Sequence, residues 1–60
     1  MIIYKNGDLT LEQDIFTKEY AVFRAVRYPS GTIGFWQQVS KWYQYKKYAV
    51  DIYNGKNTKK

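Results

Sequence analysis

Sixty residues carrying ten lysines and arginines against five acids, with no cysteine and no histidine, specify at most one small basic domain. A chain of this length buries only about 60% of its unfolded surface. Neither a disulfide nor a Cys/His zinc site can staple it, so packing or association must hold it together. Twelve aromatic residues are the main packing resource, since each large ring buries roughly 150–250 Å². The longest apolar runs, Met1 to Tyr4 and Tyr20 to Phe23, are far shorter than the roughly 20 residues of a membrane span. The N-terminus lacks the layout of a signal peptide. A soluble protein without membrane association is expected, and the absence of cysteine fits the reducing cytoplasm.

In chain order, "IIYKNGDLTL" (residues 2–11) predicts a β-hairpin. Asn6-Gly7 is the favoured pair for a type I′ turn. A two-residue loop there sets Lys5 opposite Asp8, Tyr4 opposite Leu9 and Ile2 opposite Leu11. The competing reading is a helix starting at Thr10, because "TLEQ" has the form of a capping box. Leu11, Ile15, Val22 and Val26 would line one stripe of it. Thr17, Val22, Phe23 and Val26 fit a strand better, so the hairpin is preferred.

Residues 20–39, "YAVFRAVRYPSGTIGFWQQV", predict a second hairpin. Pro29 suits position i+1 of a type I turn, and Gly31 suits the left-handed position that closes a three-residue loop with a bulge. This register pairs Tyr28 with Thr32, Val26 with Gly34, Arg24 with Trp36 and Val22 with Gln38. The opposite face, with Ala21, Phe23, Ala25, Ile33, Phe35 and Val39, is then the better core. Arg24 beside Trp36 reads as a cation–π pair on the other face.

"KWYQYKKYAVDIY" (residues 41–53) alternates poorly as a strand. On a helix, Trp42, Tyr45, Tyr48, Ala49, Ile52 and Tyr53 gather on one arc. Ser40 is the expected N-cap and Asn54-Gly55 the expected stop. The rings of "WYQYKKY" are therefore mainly packing groups, while Tyr43, Lys46 and Lys47 point outward. Phe23, Phe35, Trp42 and Ile52 should be more buried than Trp36 and Tyr43. The expected fold is α+β, two hairpins (about 2–11 and 20–39) packed with one C-terminal helix (about 41–53). A small all-β barrel is the alternative. Residues 1–55 form the domain, and 56–60 a basic flexible tail.

Charge is divided along the chain. Residues 1–19 carry a net charge of −2, and residues 20–60 a net charge of +7, with no acid between Tyr20 and Val50. An acid-free basic block favours an anionic partner, nucleic acid ahead of an acidic protein surface. A charge excess serving solubility alone is the simpler competing explanation. The candidate contact residues are Arg24, Arg27, Tyr28, Trp36, Lys41, Tyr43, Lys46, Lys47 and Lys56, joined by Lys59 and Lys60. Cations there would neutralise phosphates and exposed rings would stack on bases.

No reaction is indicated. Ser30 and Ser40 have no histidine to serve as base, the carboxylates form no paired motif, and the four glycines are too scattered to cradle a phosphate. No metal and no cofactor is expected. Strands followed by one helix is a layout similar to the small sheet-based DNA-binding domains of integrase arms. That likeness is one of architecture, and no motif carries residue roles across it. The first expectation is thus a small non-enzymatic nucleic-acid-binding accessory or regulatory protein. The alternative is a compact inhibitor or modulator, of the kind phages encode, that docks on an acidic surface of a larger protein through Trp, Tyr and Arg anchors. A third reading is self-association, in which a second copy forms a homodimer and completes a thin core.

Overall fold

The computed structural model describes residues 1–57, and the α+β expectation holds there. Four strands, β1 (Ile2–Asn6), β2 (Leu9–Gln13), β3 (Tyr20–Arg27) and β4 (Ile33–Gln38), precede one helix, α1 (Lys46–Asn57). The strands form an antiparallel sheet in the order β1-β2-β3-β4, so each pairs with its sequence neighbour. The sheet is open, which removes the barrel alternative. Thr10 to Gln13, the would-be capping box, lies in β2, and the Thr10 hydroxyl donates to the Glu12 carboxylate at 3.1 Å.

The first hairpin differs from expectation by one residue. Asn6 pairs with Leu9, Lys5 with Thr10 and Tyr4 with Leu11, so the loop is Gly7-Asp8 rather than Asn6-Gly7. Gly7 alone takes the left-handed conformation, with φ +61°, as a glycine at the first central position of a type II′ turn does. The reason for the slip lies outside the hairpin. Arg27 donates from Nε and Nη2 to the Asp8 carboxylate at 2.8 and 2.6 Å, and the Ala25 amide donates to the Asp8 carbonyl at 2.8 Å. Those contacts seat Asp8 in the loop beside β3, and no local turn rule contains them.

The second hairpin turns where expected. The Gly31 amide donates to the Tyr28 carbonyl and the Tyr28 amide to the Thr32 carbonyl, both at 2.8 Å, with Gly31 at φ +94°. Beyond Arg27 and Ile33 the register shifts, leaving Gly34 as an extra residue. Val26 then faces Phe35, Ala25 faces Trp36 and Arg24 faces Gln37. The Tyr28 ring occupies the space that a side chain at position 34 would need, since a β-carbon there would stand 2.9 Å from Cζ of that ring. The bulge reassigns the faces. Phe35 joins Val22 and Val26 on one side, and Trp36 joins Phe23 and Ala25 on the other.

The core is on the face opposite to the one anticipated, because α1 packs on the Val22 side of β3. Leu9, Leu11 and Val22 are buried against Ala49 and Tyr53 of α1, with Ile3, Tyr20, Val39, Tyr43, Val50 and Ile52 packed around them. Phe35 is 55% exposed and Trp42 is more exposed than Tyr43, which overturns the expectation for those two, whereas Phe23 and Ile52 are more buried than Trp36 as expected. The helix starts at Lys46 rather than about 41. Tyr20 and Tyr43 exchange backbone hydrogen bonds at 2.7 and 2.8 Å, keeping that segment beside β3. Ser40 is not a cap. Its hydroxyl accepts from the Val22 amide at 2.9 Å and donates to the Lys41 carbonyl at 3.0 Å. Nor do Asn54 and Gly55 stop the helix, which continues through Lys56 to Asn57. Lys59 and Lys60 lie outside the described residues.

Between β2 and β3, Asp14 builds a braced turn. Its carboxylate accepts from the Phe16 and Thr17 amides at 2.8 and 3.2 Å, and its carbonyl accepts from the Lys18 amide at 2.7 Å. Lys18 has φ +67°. The turn holds Ile15 and Phe16 in solvent, Phe16 at 87% exposure.

Two stability measurements follow from this arrangement. Leu11 is fully buried, so Leu11→Ala should cost about 2–5 kcal/mol, most of the stability available to so small a domain. Phe16→Ala should stay within about 0.5 kcal/mol. Denaturant titration of both variants checks the contrast. The second measurement concerns acid. Hydrogen bonds from Arg27 hold the Asp8 carboxyl below its ordinary range, and the Phe16 and Thr17 amides do the same for Asp14. A carboxylate whose folded pKa is lowered stabilises the fold above its ordinary range, and that contribution disappears as pH falls through the folded value. Melting temperature should fall below about pH 4, and Asp8→Asn should lower it at neutral pH while weakening its dependence on acid.

Candidate functional site

Residues paired across a sheet point to the same face, and α1 covers only one face, lying chiefly across β2 and β3. The other face carries Lys5 of β1, Thr10 and Glu12 of β2, Ala21, Phe23 and Ala25 of β3, and Trp36 and Gln38 of β4. Its small residues are sheltered, with Thr10, Ala21 and Ala25 all buried, whereas Trp36 is 37% exposed. Trp42, from the segment after β4, packs edge-on against Phe23 with ring centroids 5.9 Å apart, and is 38% exposed. The Lys5 ammonium stands 5.9 Å from the Trp36 ring centroid. Solvent thus meets two indole rings, part of a phenyl ring, the Lys5 cation and, further along β2, the partly exposed Glu12 carboxylate on this side of the sheet.

A second group surrounds the start of α1. Lys41 lies 5.9 Å from the Tyr43 ring, Lys46 5.3 Å from Tyr4 and Lys47 5.7 Å from Tyr48. Tyr48 in turn contacts Tyr43 and Tyr45 at 5.8 and 6.1 Å between ring centroids. Tyr45 is 63% and Tyr48 48% exposed. The first turn of the helix contains two lysines and no acid, a charge placement that the helix dipole disfavours and a nearby anion relieves. Lys41 and Trp42 are consecutive, so the chain itself links this cationic group to the indole face.

The sequence candidates separate accordingly. Trp36 lies on the open face, and Lys41, Tyr43, Lys46 and Lys47 lie around the helix start. Arg24 is on the helix side of the sheet, opposite Leu9 and Gln37, so the expected Arg24–Trp36 pair does not form; Lys5 takes that place. Arg27 is engaged by Asp8 and by the Gly31 carbonyl, and its hydrogen bonds to Asp8, followed by the Asp8 charge, raise its pKa further. It joins the two hairpin turns and is not a free cation. Tyr28 spends its ring on Gly34, and Lys56 sits in the last turn of α1. Reading by residue type missed Lys5 and Tyr4, and it assigned Phe23, Trp42, Tyr45 and Tyr48 to packing alone. Trp42 and Tyr45 could have been found from the Tyr43 bridge, had its pairing with Tyr20 been visible.

The remaining surface offers less. An open cleft between β1 and α1 is lined by Ile3, Tyr4, Lys5, Val50, Tyr53 and Asn54, and its Tyr4 and Tyr53 rings pack on each other at 5.8 Å. Among the described residues no three His, Cys, Asp or Glu side chains gather where a metal ion could be held. No helix among them is long and apolar enough to cross a membrane. No protein-family model, no curated protein and no solved structure matches this chain.

Proposed function

We propose that this is a non-enzymatic accessory protein that binds single-stranded nucleic acid on the open face of its sheet. The observation that supports the reading is the pair of partly exposed indoles, Trp36 and Trp42, on the face α1 leaves bare, beside Phe23 and Lys5. Bases of any sequence have a π-face that stacks on such rings. Lysines at the border, Lys5 and Lys41 first and Lys46 and Lys47 beyond them, would draw the phosphates alongside. A platform of rings suits splayed bases, whereas a duplex offers its backbone and groove edges. The acid-free stretch from Tyr20 to Val50 agrees with an anionic ligand.

A protein partner is the second reading, favoured by one specific feature. The Asp14 carboxylate fixes the backbone at Phe16 and Thr17 and leaves the Phe16 ring 87% exposed, and an exposed aromatic on a braced turn is a suitable anchor for a partner pocket.

Fluorescence titration with a single-stranded oligonucleotide tests the first reading. Trp36→Ala and Trp42→Ala should each weaken binding by about 1–3 kcal/mol, and Phe16→Ala should change nothing. Affinity should fall with salt, and the double change Lys46→Ala, Lys47→Ala should reduce the salt slope by roughly one unit per lost contact. Duplex binding equal to single-strand binding, indifferent to both tryptophans, would overturn the stacking role. Binding no tighter than that of a lysine-rich peptide of equal charge would remove nucleic acid as the ligand.

A further inference from the structure

We infer that the chain forms a homodimer by antiparallel pairing of the outer edge of β4 with the same edge of a second copy. The two edges of the sheet are treated differently. β1 is guarded: it carries the charge of Lys5, and its register is broken by a bulge between Ile2 and Tyr4. Charge and bulges are the usual devices that keep an edge from pairing with another strand. β4 also has a bulge, but it has no charge along its outer side, and Phe35 to Gln38 run in regular register beyond the bulge. Its sequence, "IGFWQQ", contains no charge and no proline, and it lies within the longest uncharged stretch of the chain, Tyr28 to Ser40. Its Gly34 bulge faces the hairpin end only.

Backbone polarity identifies the groups that remain. The Val39 amide donates to the Val22 carbonyl at 2.9 Å. By the alternation of an antiparallel ladder, Gln37 and Phe35 also turn their polar groups toward β3, and Trp36 and Gln38 turn theirs outward. Among the described residues no strand pairs with that side. The side chains are open too: Phe35 on the helix side and Ile33 and Trp36 on the other are all exposed.

A second copy is the occupant that the charge distribution favours. With a net charge of +5, two copies repel unless they meet where neither is charged, and β4 is that place. A two-fold axis normal to the sheet pairs Trp36 and Gln38 of each copy with the same residues of the other. It continues the sheet to twice its strand number and leaves both indole faces on one side. A six-residue strand is only about 20 Å long, so the contact is smaller than the roughly 800 Å² per partner of stable complexes. The dimer should accordingly be weak and concentration-dependent. The pairing does not depend on what the open face binds.

Sedimentation equilibrium of the full chain, without nucleic acid, provides the test. The parent should shift from a 7.2 kDa monomer to a dimer as concentration rises. Gln37 is exposed near the strand centre, facing its own copy directly or one diagonal step away. Gln37→Lys should raise the dissociation constant at least about tenfold, and Gln37→Glu, which lowers the net charge, should do the same. An equal mixture of the two variants should restore dimers at the parent concentration or below, with circular dichroism unchanged throughout. A parent that stays monomeric at millimolar concentration overturns the proposal. So do variants that dimerise as the parent does, or a mixture that fails to recover.

Discussion

One helix must cover a four-stranded sheet, and it cannot. Twelve residues make a rod about 18 Å long and roughly 10 Å wide, while four strands spaced about 4.8 Å apart present two faces, each wider than that rod. α1 therefore lies chiefly across β2 and β3 on one side, where Leu9, Leu11 and Val22 meet Ala49 and Tyr53. Everything outside that contact is left to solvent or to partners. The bare face and the exposed Phe35 are consequences of this single shortfall of cover.

Given so small a core, the register of the sheet depends on side-chain contacts as well as on turn chemistry. The Arg27 guanidinium ties the first turn to the second by holding Asp8 while bonding the Gly31 carbonyl. The Tyr28 ring lies over Gly34 and admits the bulge that sends Trp36 to the open face. Two side chains that residue type alone marks as ligand-binding groups also make contacts that bear on strand register. Arg27 and Tyr28 serve the candidate surface indirectly, by deciding which rings reach it.

The rings on the bare face are not stranded core residues. They roof Thr10, Ala21 and Ala25, which are buried although no element packs on that side. Large residues beside small ones let a sheet face protect its own backbone and still present aromatic surface. The lysines near the rings follow a similar economy, because a cation held over a ring sits close to the surface with its charge still in water. Under the proposed function, the same positions would stabilise the free protein and still meet phosphates.

Local chemistry determined much of this fold. The turn at Tyr28 to Gly31 was legible because proline sets φ and glycine accepts a positive one. The strands around both turns and a C-terminal helix containing Ala49, Ile52 and Tyr53 were legible because their apolar spacing repeats at the right period. The acid-free basic block was legible from charge alone. What the tertiary structure decided was which way each strand faces. A one-residue slip turns every side chain over; the first goes with a long-range partner, Arg27 on Asp8, and the second with a contact inside its own hairpin, Tyr28 on Gly34, that the turn rules do not contain. The exchange of hydrogen bonds between Tyr20 and Tyr43 likewise delayed the helix to Lys46 and freed Trp42 to join Phe23. Sequence periodicity records the spacing of side chains along one element; the face that becomes core is chosen only when the elements meet.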